Sequence, residues 1–355
     1  MRFFTCLKVY GPKYRAPLLL LLTLAISGVA GIGCKTLMLT DKQQKSSNYV
    51  VQGNAYAKDG LWREAIESYK HALAKEENNL TIHRNIGMVF VKVGDYKSAV
   101  YHLEKSITKF DDNFASNFYL AEAYRGLDNY GEAIYRYKKA LKLKDDSTKV
   151  LKALAWSYFK IRYYSEALIT AKKLLALSPK DEQASIIMAR TLLKLKRGQE
   201  ALTILRSAKE KAVPTNVAYF ESVEGDILSE LGDFEGALKV YFSALKAQPL
   251  LPGALLGIGR SFLDNNDPKK AISYMERALR VKTNLAEAQY LLGKAYEQVD
   301  TQKSIRYYQL FAKQAATDPE FLTQVLEVKQ RLGTLQKANS DTNNASENGA
   351  NRVRK

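Results

Sequence analysis

Apolar residues recur along the chain at spacings of three, four and seven, the period of one helix face, in short stretches separated by turns. Gly53-x-x-Tyr56 precedes Gly60-Leu61-Trp62-x-x-Ala65, and Tyr69-x-x-Ala72-Leu73 completes the stretch. This pattern predicts two helices joined by a tight turn. The arrangement then returns. Ala65, Ala99, Ala133, Ala167 and Ala201 are each 34 residues apart, Ala237 follows after 36, Ala271 after 34 and Ser304 after 33. A small residue recurs in each first helix, as Gly53, Gly87, Ala121, Ala155, Ala189, Gly225, Gly259 and Gly293. Crossing helices need such a residue where their backbones approach. Three positions on stands an aromatic or large apolar residue: Tyr56, Phe90, Tyr124, Tyr158, Leu192, Leu228, Phe262 and Tyr296.

Self-similarity at this period is the signature of a helical array in which each unit buries its neighbour's apolar face. The motif resembles the tetratricopeptide repeat (TPR), with the terminal proline kept as Pro179 and Pro249 and replaced by Asp111 or Asp145 elsewhere. The resemblance covers about residues 46–319 and implies an all-α fold, a right-handed superhelical solenoid of about eight helix-turn-helix repeats. Residues 320–337 carry apolar positions at helical spacing and are expected to form a C-terminal capping helix. Residues 338–355 are rich in Asn and Ser without apolar periodicity and are expected to be a disordered tail. Repeat five departs most from the motif, with Gly198 at the usual aromatic turn position and two extra residues around Pro214.

Composition narrows the class without naming a partner. Of 355 residues, 46% are apolar and 26% charged, which argues against wholesale disorder and against a polytopic membrane protein. The net charge of +17 is unevenly placed: residues 148–215 hold fourteen Lys and Arg against five Asp and Glu, whereas 46–113 and 216–337 balance. A basic patch of this kind attracts acidic proteins, nucleic acid or anionic headgroups. Nucleic-acid binding is disfavoured because no second basic stripe or known module accompanies it.

The N-terminus has its own logic. Arg2, Lys8, Lys13 and Arg15 precede an apolar stretch from Ala16 to Gly33, followed at once by Cys34. That is the layout of an export signal over 1–33, with 34–45 as a linker. The eighteen residues of this stretch would make roughly 27 Å of helix against a hydrocarbon core of ~30 Å, so a retained inner-membrane single-pass anchor also fits. Gly31-Ile32-Gly33-Cys34 resembles the lipobox of bacterial lipoproteins, although Gly31 stands where that family usually has Leu. The resemblance implies lipidation at Cys34. Lys35, in place of the retention signal Asp, favours the outer membrane facing the periplasm over the inner membrane.

No catalytic or cofactor chemistry is expected. Gly28 to Thr36 comes within one inserted residue of a phosphate-binding loop, but Cys34 breaks the required Gly-Lys step and the context is helical. Gly257-Ile-Gly259 lacks a third glycine and reads as helix packing. His71, His83 and His102 lie on different helices without a metal-ligand spacing, and both thiols, Cys6 and Cys34, precede the repeats. No enzyme activity, metal, cofactor or small-molecule substrate is therefore expected.

In TPR arrays the first helix of each repeat lines the concave groove, chiefly through positions 2, 5, 9, 12 and 13. The resemblance then assigns Lys149, Lys152, Trp156, Phe159 and Lys160 in repeat four, Arg190 and Lys194 in repeat five, Arg84 in repeat two, and Phe118 and Arg125 in repeat three. This implies a basic groove with exposed aromatics, suited to a protein or peptide ligand of acidic character. Lys152 is paired with Trp156, and Val50 with Asn54, so the Lys–Asn carboxylate clamp of chaperone-type repeats is not reproduced. The expected function is a membrane-anchored scaffold for a cell-envelope assembly such as a pilus or secretion system.

Overall fold

The residues that set the 34-residue period sit where two helices touch: Ala65, Ala99, Ala133, Ala167, Ala201, Ala237, Ala271 and Ser304 are all wholly buried. The computed structural model describes residues 40–107, 113–318 and 320–353, with side chains as far as residue 337. Among them the secondary structure is helical throughout, in seventeen α-helices and one 3-10 turn at Pro214–Asn216. Residues 1–39, and with them the expected export signal and Cys34, lie outside the described residues.

The helices pair by repeat. The first four repeats comprise α1 (Asp41–Lys58) and α2 (Trp62–Leu73), α3 (Leu80–Val93) and α4 (Tyr96–Lys105), α5 (Phe114–Gly126) and α6 (Tyr130–Leu143), and α7 (Thr148–Lys160) and α8 (Tyr164–Leu177). The next four comprise α9 (Glu182–Lys194) and α10 (Gly198–Lys209), α11 (Val217–Glu230) and α12 (Phe234–Ala247), α13 (Pro252–Asp264) and α14 (Pro268–Val281), and α15 (Ala286–Tyr296) and α16 (Thr301–Gln314). Helix α17 (Leu322–Val353) follows. Two compact units result, the first ending at Ala123 and the second beginning at Tyr124, inside α5.

In unit 1, Ala65, Tyr69 and Ala72 of α2 pack against Ile82, Ile86 and Val89 of α3. Gly53 allows the close approach, since a Cβ there would stand 2.7 Å from the Tyr69 ring. In unit 2, α11 packs against both α12 and α13, and Phe220, Val223, Ile227 and Tyr241 are wholly buried. Glu224 is buried beside them. Its carboxylate accepts from Arg206 Nε at 2.7 Å and Lys209 Nζ at 2.6 Å. Burial pushes its pKa up, but the two cations outweigh that and hold it below the usual carboxylate range.

The turn within each of the first seven repeats is built alike. The amide that opens the second helix donates to a carbonyl five residues back, as in Leu61 to Tyr56, Asp95 to Phe90, Tyr163 to Tyr158 and Asp267 to Phe262, at 2.9–3.0 Å. Closing this loop requires a left-handed residue just before it. Gly60, Gly94 and Gly232 supply it, while Asp128, Arg162, Lys196 and Asn266 adopt the same positive φ without being glycine.

Two boundaries differ from the expectation. Helix α1 begins at Asp41, inside the expected linker, because Thr40 and Gln43 form a reciprocal capping box. At the other end the first turns of α17 pack on repeat eight, with Val325 and Val328 buried against Tyr308 and Phe311. Its backbone then stays helical beyond residue 337, as far as Val353, in place of the expected disordered tail. No proline interrupts residues 320–353, and extending a formed helix fixes one residue per hydrogen bond gained.

Candidate partner-binding groove

Helix α7 offers its last turns as a mixed surface. Spacings of four and three from Trp156 place Lys152, Phe159 and Lys160 around it on one side of the helix. Trp156 is half-buried, packed against the Ala155–Ala171–Ile187 cluster, with Phe159 stacked 5.5 Å away. The packing is local in cause. Where α1 and α2 oppose a glycine to a tyrosine, α7 and α8 oppose two alanines, Ala155 and Ala171, both wholly buried. The Trp156 indole flanks that small-residue contact.

The cations of the predicted groove have different fates. Lys152 Nζ lies 2.6 Å from Asp181, whose other carboxylate oxygen caps α9 at the Ala184 amide, so this lysine ties two repeats together. Lys149 and Lys194 are exposed. Arg190 lies over the Tyr219 ring at 5.8 Å. Lys160 reaches Glu320 at 3.3 Å and Asp318 at 3.7 Å. Arg125 is half-buried at the end of α5. These residues with Trp156 and Phe159 belong to unit 2, whereas Arg84 and Phe118 belong to unit 1. Arg84 is half-buried on α3. Phe118 is not the exposed aromatic expected. It is 4% exposed and stacks on Phe114, because it lies on the packed side of α5 with Leu120 and Ala121.

Sequence reasoning missed the turn residues. Arg162, Tyr164, Leu193, Lys194, Lys196, Glu230 and Glu320 line one cleft in unit 2. Arg162 and Lys196 occupy the register of Gly60 and Gly94, a signal present in the repeat alignment. Beside this region Tyr130 donates to Asp128 at 2.8 Å; burial, with Asp128 second, raises its pKa well above the usual phenol range.

One further pairing was not expected. His83 and His102 bring their Nδ1 atoms to 2.9 Å, and His83 Nε2 lies 2.8 Å from the Glu77 carbonyl. Burial, then the neighbouring His83, lowers the His102 pKa to about 4, so the pair is neutral near pH 7. Among the described residues no group of three His, Cys, Asp or Glu is placed to hold a metal. The side chains of the predicted groove offer ammonium, guanidinium and aromatic faces, a chemistry suited to carboxylates and apolar side chains.

The fold defines a helical-repeat scaffold. Family comparison places tetratricopeptide repeats along the chain: "TPR repeat" matches residues 53–94, and "Tetratricopeptide repeat" matches 223–284 and 256–319. The repeat family described as anaphase-promoting complex, cyclosome, subunit 3, matches 92–174 and 130–208. The chain is built of tetratricopeptide repeats. A tetratricopeptide repeat protein from Parabacteroides merdae is similar in fold, with TM-score 0.63 and 16% identity over 71% of this chain and 99% of that one. Yeast Tom70 is similar with TM-score 0.58 and 18% identity over 94% and 77%. In the Cut9–Hcn1 hetero-tetramer, the similar chain has TM-score 0.51 and 12% identity over 75% and 52%. No curated protein matches the sequence. Repeats of this kind are protein-interaction scaffolds and are typically non-catalytic.

Proposed function

We propose that this chain is a membrane-anchored adaptor without enzyme activity that holds an acidic segment of a partner protein in the groove of unit 2. Support comes chiefly from the stacked Trp156–Phe159 pair beside Lys160 on α7, with Arg190 and Lys194 on the next first helix. An aromatic anchor within a cationic surround is the composition of interaction hot spots. The lipobox-like Gly31-Ile32-Gly33-Cys34 supports lipidation at Cys34 and an outer-membrane position facing the periplasm, with an inner-membrane anchor as the alternative. An adaptor held there serves the assembly of an envelope complex, such as a pilus or secretion system.

The test joins anchor and groove. A photo-crosslinker at Phe159 should trap a partner in cells and one at convex Lys172 should not. Trp156→Ala should then weaken that partner's binding by about 2 kcal/mol or more. Lys194→Glu should mainly slow association, because exposed charges steer encounters. Equal trapping from both positions overturns the groove assignment. Fatty-acid labelling that persists in Cys34→Ala overturns the anchor.

A further inference from the structure

The acidic ligand expected of the groove has a counterpart within the chain itself. Asp318 and Glu320, two residues apart beyond the end of α16, both reach Lys160 at the end of α7. Only a fifth of the Lys160 side chain remains exposed, at 20%. Glu320 also lines the cleft with Arg162, Lys194 and Lys196. Its other acidic wall, Glu230, lies 3.6 Å from Lys196. Four cations thus face three carboxylates, two of them brought from about 160 residues away.

The backbone gives a second, independent sign. At the turn where three repeats use glycine and two use Asp128 or Asn266, repeats four and five place long cations, Arg162 at φ 66° and Lys196 at φ 61°. Asp and Asn tolerate this conformation through local hydrogen bonds, but Arg and Lys gain no such relief. Strain retained at two neighbouring turns, both opening on one cleft, marks side chains kept for what they contact.

We infer that this cleft and the adjoining Lys160 are the seat of an acidic turn with carboxylates two residues apart, that Glu320 in the cleft and Asp318 beside Lys160 occupy it in cis, and that the partner's acidic segment enters by displacing them. The inference rests on the groove reading above and names its ligand chemistry. Occupancy in cis makes the groove selective, because a ligand binds only as tightly as its surplus over the resident carboxylates.

The experiment uses the full chain in detergent and a fluorescent peptide of residues 314–322, Gln-Ala-Ala-Thr-Asp-Pro-Glu-Phe-Leu. Asp318→Asn with Glu320→Gln, which keeps side-chain shape and removes charge, should bind the peptide about tenfold more tightly than the unaltered chain, as expected if the resident carboxylates occupy the cleft nine-tenths of the time. Adding Lys160→Ala should remove the gain. Arg162→Gly with Lys196→Gly should weaken peptide binding while raising the melting temperature, a pairing that a purely structural role for these cations does not produce. Equal affinity of the unaltered and Asn/Gln chains overturns occupancy in cis and leaves the groove standing. Binding that survives both Lys160→Ala and the glycine pair, or no binding to the Asn/Gln chain, overturns the cleft as the seat. Crosslinking from Phe159 judges the wider groove separately.

Discussion

Tyr241 lies between two glycines from different helices. A Cβ on Gly225 of α11 would stand 2.4 Å from its ring, and one on Gly257 of α13 only 2.2 Å away. Its hydroxyl donates to Asp226 at 2.9 Å, so the ring has no free direction in which to yield. Gly257→Ala should therefore destabilise unit 2 by about 1–3 kcal/mol, the range for overpacking a filled core. Chemical denaturation checks it, and Tyr241→Leu in the same background should recover part of the loss. The Gly257-Ile-Gly259 pair was legible as packing because each glycine falls on a helix face of the repeat. Which side chain each one meets was less legible, since Tyr241 is shared by two repeats. At Phe118 the position rule named a groove residue although the helix turns that side chain inward.

At the scale of helices and turns, caps divide the repeats. Asp95, Asn129, Asp233, Asp267 and Asp300 each accept a hydrogen bond from an amide in the first turn of a second helix. Tyr163 and Arg197 hold the same place before α8 and α10 and make no side-chain cap. Tyr163→Asn should supply one and stabilise the fold by about 1 kcal/mol, measured as a rise in melting temperature. Repeats four and five thus lack both the helix cap and the relaxed glycine turn. The helix pairs themselves were readable because 34-residue periodicity reports the contact of each helix with its neighbours. The turn strain was not, since Arg162 and Lys196 look unremarkable as residue types and show their cost only through φ. The repeat rule assigns Lys152 to the groove without naming opposing side chains; its partner Asp181 caps the next repeat.

At the scale of the molecule, four cations of the basic stretch 148–215 meet acids from later repeats. Glu224 takes Arg206 and Lys209, Glu230 takes Lys196, and Asp318 with Glu320 takes Lys160. Net charge by segment located the patch but could not reveal these partners, because a sum of charges places no two of them side by side, and the Lys160 contact spans too many repeats to leave a trace in the period. The Lys160 contact also changes how unit 2 should come undone. In an open stack each repeat leans on its neighbours alone, so the last helices fray first and independently. A strap from α7 to the segment before α17 converts that line into a loop. Amide hydrogen exchange should show α16 and α17 opening together with α7 in the unaltered chain. After Asp318→Asn with Glu320→Gln, α16 and α17 should exchange faster while α11 to α13 keep their protection. Arrival of a ligand at the cleft would then be felt as loosening at the chain's far end, so occupancy of the groove becomes readable to any protease or neighbour that tests whether the last repeat is closed.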